Sequence, residues 1–290
     1  VKYKELFETL EKRKLTILKS IEEQGVLTDE LKKKIEDTED LTALEDLYLP
    51  FKKSRKTKAE TARQNGLEPL AKIIMSQNAS DVESIAIKYT KGDVASADEA
   101  LEGARHIISE WINERTDFRN HIRHQLERFA MISTKAVKSK ADGSTALTRS
   151  EDAQKFRDYF DWEESLGRIP SHRLLAILRA ESEGFIKTKI SIDDDRAISR
   201  IEDKTIRSNN ACAEQIRMAI QDAYKRLLLP SLSNEALQNA KEKADDAAIS
   251  VFAKNLKQLL LGSPLGEKRV LAIDPGFRTG CKIVCLDAQG

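Results

Sequence analysis

Apolar positions recur at helical spacing along most of the chain. Leu6, Leu10, Ile17, Leu18 and Ile21 lie amid Glu and Lys between residues 3 and 24. That is the period of a helix with one buried face, and Gly25 supplies its stop. A second short helix is expected from Thr28. Thr42-Ala43-Leu44-Glu45, Ser80-Asp81-Val82-Glu83 and Ser96-Ala97-Asp98-Glu99 each have the spacing of a capping box, in which a hydroxyl and a carboxylate satisfy the free N–H groups of a first turn. Pro50 ends the helix that runs through Tyr48. Residues 96–138 read as two long helices meeting near Thr116-Asp117. After a turn at Ala141-Asp142-Gly143-Ser144, helical spacing resumes from Ser150 to Phe160. Pro170 takes the first helical position before Leu174, Leu175, Ile177 and Leu178. Asp193, Asp194 and Asp195 favour the start of another helix. Two more are expected at about 210–228 and 234–261, parted by Pro230.

The period changes in two places. Ile186, Thr188, Ile190 and Ile192 alternate with Lys187, Lys189 and Ser191, which predicts a half-buried strand at 185–192. Gly262-Ser263-Pro264 marks a boundary. Beyond it, Arg269-Val270-Leu271-Ala272-Ile273-Asp274, a Pro275-Gly276 turn and Lys282-Ile283-Val284-Cys285-Leu286 predict a strand, a turn and a strand. The expected architecture is a mainly α, multi-helix domain over 1–262 followed by the opening hairpin of an α/β domain over 268–290. Two strands alone are marginal in water, and the chain begins with Val1 inside a helical pattern, so a fragment of a longer protein is expected.

Composition narrows the class. Gly and Pro number 12 and 6 in 290 residues and a third of the residues are charged, which excludes collagen-like, low-complexity and multi-span membrane chains. Cys212, Cys281 and Cys285 are odd in number and lack paired spacing, so neither a disulfide framework nor a zinc site is expected, and a cytoplasmic setting is. The net charge of +1 conceals local blocks, and blocks govern binding.

The densest block is Lys52, Lys53, Arg55, Lys56 and Lys58, interleaved with Ser54 and Thr57 and followed by Arg63. Cations and hydroxyls at this density suit phosphate contacts, in which released counterions supply affinity without reading sequence. The alternative is a solvated loop paired with the acidic helices around it. Arg168, His172 and Arg173 gather at a helix start, where free N–H groups favour an anion; pairing with Glu163, Glu164 or Glu181 is the local alternative. His121 and His124 share a helical face with Arg128 and suggest a basic patch, with no metal-motif spacing among the histidines. Asp274 closes a buried apolar strand at a Pro-Gly turn, the way nuclease folds present a carboxylate to Mg²⁺ or Mn²⁺. One acid is not a site, and closing the turn is its other role.

Leu44-Glu45-Asp46-Leu47-Tyr48-Leu49-Pro50-Phe51, the basic loop, Gly66-Leu67-Glu68-Pro69-Leu70-Ala71, Tyr159-Phe160-Asp161-Trp162-Glu163, Ile169-Pro170-Ser171-His172-Arg173 and Ala272-Ile273-Asp274-Pro275-Gly276-Phe277-Arg278-Thr279-Gly280-Cys281-Lys282 together resemble the Tex family of bacterial transcription accessory proteins. The resemblance covers essentially the whole chain. It implies a helical scaffold that leads into an RNase H-like domain of the YqgF type, within a modular protein whose further helix-hairpin-helix and OB-fold modules hold nucleic acid. It implies sequence-independent RNA or DNA binding and association with RNA polymerase or other transcription machinery. It also places Asp274 where active YqgF-type resolvases carry their first metal-binding acid. A metal-dependent nuclease and a protein-interaction scaffold without nucleic-acid contact are the alternatives. No membrane partner and no cofactor of the fragment itself are expected, a divalent ion belonging to the complete RNase H-like domain.

Overall fold

A computed structural model describes residues 2–52, 57–137, 151–263, 265–276 and 280–290. Lys53, Arg55 and Lys56 of the basic loop, the turn at 141–144, Ser150, Pro264 and residues 277–279 lie outside the described residues. The chain up to Lys241 forms one compact unit and Glu242–Gly290 a second, a division upstream of residue 262 and inside the last helix.

Three helices open the first unit: α1 (Lys2–Glu23), α2 (Asp29–Glu36) and α3 (Leu41–Tyr48). Leu10, Ile17 and Ile21 of α1 bury against Ile35 and Leu44, with Leu47, Tyr48 and Phe51 packed on the cluster. Gly25, at φ 70°, turns the chain after α1, a left-handed conformation that glycine adopts without steric cost. Thr28 caps α2. The cap of α3 is Asp40, whose carboxylate accepts the Ala43 N–H at 3.0 Å, and not Thr42; Glu45, the acid of the expected box, instead receives Arg13. A single 3₁₀ turn at Leu49–Phe51 ends the module.

The next group comprises α4 (Lys58–Gln64), α5 (Glu68–Ser76), α6 (Val82–Ala86), α7 (Ala97–Glu114) and α8 (Thr116–Phe129). Asp81 rather than Ser80 caps α6, accepting the Ser84 N–H at 3.0 Å. At α7 the Ser96 hydroxyl accepts the Glu99 N–H while the Glu99 carboxylate reaches back to the Ala95 N–H. Ala100, Leu101, Ala104, Ile107, Ile108 and Ile112 bury one face of α7. Gly103 sits on that side because an added Cβ would come within 2.3 Å of Leu67.

A three-stranded antiparallel sheet follows, built from β1 (Met131–Ala136), β2 (Asp161–Ser165) and β3 (Ile186–Ser191) in the order β2-β1-β3. Only β3 is expected from sequence. The stretch read as the end of a long helix to residue 138 is β1, since α8 stops at Phe129. Its six residues bury only Ile132 and Thr134, too little for the alternation to be seen, and pairing on both sides settles its conformation. Between β1 and β2 the described helix α9 covers only Glu151–Gln154, with a 3₁₀ turn at Arg157–Tyr159. α10 (Ser171–Ser182) lies between β2 and β3 in the chain, with Pro170 one residue before its start, and α11 (Asp194–Thr205) follows β3 with Asp193 as its cap.

α12 (Ala211–Asp222) and α13 (Leu229–Leu260) are not parted by Pro230. A π-helical stretch, Ala223–Leu228, joins them, and the Leu229 N–H bonds to the Tyr224 carbonyl five residues back. A proline has no N–H to give and crowds the carbonyl four residues earlier; the wider turn releases that carbonyl, so the helix continues.

The second unit contains the latter part of α13 and the hairpin of β4 (Val270–Asp274) and β5 (Lys282–Leu286), antiparallel from Val270 opposite Leu286 to Asp274 opposite Lys282. The fold is mainly α and ends in this small hairpin.

Candidate nucleic-acid interface

The cations singled out in the sequence divide into two groups. Lys52 and Lys58, which bracket the basic loop, are exposed and make no ion pair among the described residues. Lys58 opens α4, behind the Thr57 cap that receives the Glu60 N–H at 3.0 Å. Arg63 points back into the fold and pairs with Glu110 of α7. Arg168 and His172 are exposed, without an ion pair among the described residues. Arg173 binds Glu164 at 2.9 Å and lies 4.9 Å from the centre of the Trp162 ring, one of the local pairings that the sequence allows. Glu181 is committed elsewhere, accepting the Thr188 N–H and hydroxyl at 2.7 and 2.6 Å. The available side chains are therefore the cations Lys52, Lys58 and Arg168 and the imidazole of His172, while Arg63 and Arg173 are tied into the scaffold.

What holds these elements in place is a set of buried polar contacts. Asp46, 3% exposed, receives Arg119 Nε at 2.6 Å and Arg123 Nη1 at 2.5 Å, and Arg123 Nε also reaches Glu235 at 2.6 Å. These contacts join α3, α8 and α13. Charges this dry are kept only where every partner is present, so the cluster fixes how three helices meet. Gln77 does the same for a loop. It ends α5 at φ 60°, its amide nitrogen donates to the Thr205 carbonyl at 2.8 Å, and its amide oxygen accepts the Arg207 N–H at 2.7 Å. Sequence reasoning missed both networks; partners 73 to 133 residues apart leave no local pattern.

His121 and His124 do face a basic surface, but the cations come mostly from α11. α8 and α11 run antiparallel side by side, with exposed Lys204 3.2 Å from Asp117 near one end and exposed Arg196 5.0 Å from the Phe129 ring centre near the other. His121 falls between those contacts. Burial, followed by Arg200, His124, Lys204 and Arg196, holds its imidazole below the usual histidine range.

Glu114, at the end of α7, is a perturbed carboxylate. Burial and the neighbouring Glu110 push it up to about 7, against the opposing pull of Arg63.

Asp274 ends β4 exposed, opposite Lys282. No three His, Cys, Asp or Glu side chains gather at one point among the described residues. A divalent-ion centre takes several oxygen ligands, of which Asp274 would supply one. No helix among the described residues is long and apolar enough to cross a membrane.

Residues 77–252 match the family model described as Tex central region-like. The chain is 39% identical over 287 residues to the transcriptional accessory protein Tex of Neisseria gonorrhoeae, covering 97% of this chain and 37% of that protein. It is 38% identical over 293 residues to protein YhgF of Escherichia coli, with the same coverage of 97% and 37%. It is 26% identical over 281 residues to the human S1 RNA-binding domain-containing protein 1, covering 93% of this chain and 28% of that protein. The chain thus spans a little over a third of the length of its bacterial relatives, 37% in Tex and YhgF. By these matches the chain belongs to the Tex family of transcription accessory proteins, and residues 77–252 are its central region.

Proposed function

We propose that this chain is the helical scaffold of a cytoplasmic, Tex-type transcription accessory protein and that it holds nucleic acid through phosphate contacts, without reading bases. The observation that carries the reading is the pair Lys52 and Lys58. Both are exposed, both lack an ion pair among the described residues, and they bracket a run of five cations with no acid. Cations at this density in the sequence release counterions from a phosphate backbone, a gain indifferent to sequence. The relatives support the assignment in kind: one is named a transcriptional accessory protein and another an S1 RNA-binding domain-containing protein. The buried Asp46 cluster and the Gln77 network suit a rigid platform, on which modules of a longer protein and the transcription machinery are positioned.

The test is salt dependence. Replacing Lys52, Lys53, Arg55, Lys56 and Lys58 by Gln should flatten the slope of log K against log salt by about 0.7 for each phosphate of a single strand that is no longer neutralised. An unchanged slope removes the loop from the interface.

A further inference from the structure

Three observations converge on a second surface of the first unit. The outward face of the sheet is polarised. β3 presents Lys187 and Lys189 to solvent, with Lys135 of β1 directly opposite Lys187, while the acids Asp161 and Glu163 stand on the far strand, β2. Like charges placed directly across a ladder are unfavourable, and one acid, Asp161, serves that row of two lysines.

This cationic edge runs into α11. Met131 and Ser191, on the same outward face at its other end, line one shallow pocket together with Phe129 and Arg196. From there Arg196, Arg200 and Lys204 follow at four-residue intervals, all exposed, on a single face of α11. The strand limb from Lys187 to Ser191 and the helix limb from Arg196 to Lys204 are each about 12–13 Å long. Each is the length over which one strand of a duplex presents about four phosphates.

Beside the helix limb, the Nε2 of His121 is buried without a hydrogen-bond partner among the described residues. Lys187, Lys189 and Arg200 have no ion pair among the described residues. Three nearby acids are engaged by the fold: Asp193 caps α11, Asp194 receives the Tyr224 hydroxyl at 2.6 Å, and Asp117 binds Arg115 and, through a pair with both side chains 39% exposed, Lys204. Asp195, Glu202 and Asp203 also stand on α11, Asp203 beside the cations three residues after Arg200.

We infer that Lys187, Lys189, Arg196, Arg200 and Lys204 form one continuous track for the sugar-phosphate backbone of a nucleic acid, distinct from the Lys52–Lys58 loop. The inference rests on the nucleic-acid-binding reading and gives it a location. Regular cation spacing along two successive elements fits a repeating polyanion. Phe129, 45% exposed where the limbs meet, offers a ring on which an unpaired base can stack.

The experiment compares three forms of the whole chain by fluorescence anisotropy with labelled single-stranded RNA and duplex DNA across a salt series. The forms are the unaltered chain, the track variant K187Q/K189Q/R200Q/K204Q, and the five-residue loop variant. All the substituted track positions are exposed, and thermal melts followed by circular dichroism check that each form is folded. The track variant should bind at least about tenfold more weakly at low salt, and its slope should fall by about 2–3, as three or four phosphates go without a cation. Bound RNA should also protect Lys187, Lys189 and Lys204 of the unaltered chain from acetylation.

Equal affinity and slope in the track variant, with binding by the unaltered chain intact, overturns the track and leaves the general reading standing. No binding by the unaltered chain overturns both. Competition by polyglutamate as effective as by unlabelled RNA overturns the assignment to nucleic acid in favour of an acidic protein segment.

Discussion

Asp46 grips Arg123 across 77 residues of sequence, through contacts of 2.5 and 3.0 Å to the two terminal nitrogens of the guanidinium. The same carboxylate also receives Arg119, and the other edge of Arg123 goes to Glu235. Because Asp46 is almost fully buried, its removal takes the carboxylate from Arg119 and leaves Arg123 with Glu235 alone. Asp46→Asn should destabilise the chain by about 3–5 kcal/mol, as for other buried pairs broken on one side. Glu30→Gln, at the exposed Lys34 pair on α2, should leave the unfolding midpoint essentially where it is, because water already solvates both charges. Urea unfolding of the two variants checks the contrast.

Gln77 occupies a left-handed position that normally favours glycine or asparagine, and it is kept there by the bonds its amide makes to the segment after α11. Gln77→Ala retains the unfavourable backbone and gives up those partners, so a destabilisation of about 2–4 kcal/mol is expected from the orphaned buried groups. Gln77→Gly relieves the backbone only and should recover part of that stability. Thermal denaturation of the pair separates the two contributions.

Glu114 sets a pH dependence whose sign follows from linkage. Its folded pKa of about 7 lies above the ordinary 4.5, so between those values the folded state binds more protons than the unfolded one. Stability therefore falls as pH rises through that window, and the penalty is fully present above pH 7 and absent below 4.5. Solvent screening of the half-buried group keeps the penalty to about 1–2 kcal/mol. Glu114→Gln should be more stable than the unaltered chain at pH 8 and should lose this part of the slope. Chemical unfolding at pH 5.5 and 8 measures it.

Arg173 lies on the Trp162 ring and binds Glu164 through Nη1. Arg173→Lys keeps the charge but gives up the planar guanidinium on the Trp162 ring and the Nη1 contact shared by both Glu164 oxygens. It should destabilise the sheet by about 0.5–1.5 kcal/mol while leaving nucleic-acid affinity within about twofold, whereas Arg168→Gln should show the converse. Melting curves and binding isotherms of the two variants decide this.

How much of this was legible in the sequence follows the range of the forces. The helices of the first module announce themselves because Leu10, Ile17 and Ile21 recur at helical period and bury one face. β3 is legible for the same reason at period two. β1 is not, since two buried positions carry no detectable alternation. Pro230 misleads because its usual consequence is overridden by a π turn that no local rule announces. The caps at Asp40 and Asp81 lie within two residues of the expected ones, where neighbouring Thr and Ser offer equally good oxygens. For the site, charge density marks Lys52 and Lys58, and the pairing of Arg173 with Glu164 stands among the local alternatives. The surface of α11 is a different matter. Its arginines acquire meaning only when β3 and α8 are brought alongside, and no spacing within the chain records that.

Whether this chain itself holds nucleic acid through phosphate contacts is decided by anisotropy of the unaltered chain with labelled single-stranded RNA, single-stranded DNA and duplex DNA at several salt concentrations. Binding to all three is expected, with little dependence on base sequence and with log K falling linearly as log salt rises. Absence of binding at low salt, or binding indifferent to salt, would contradict it.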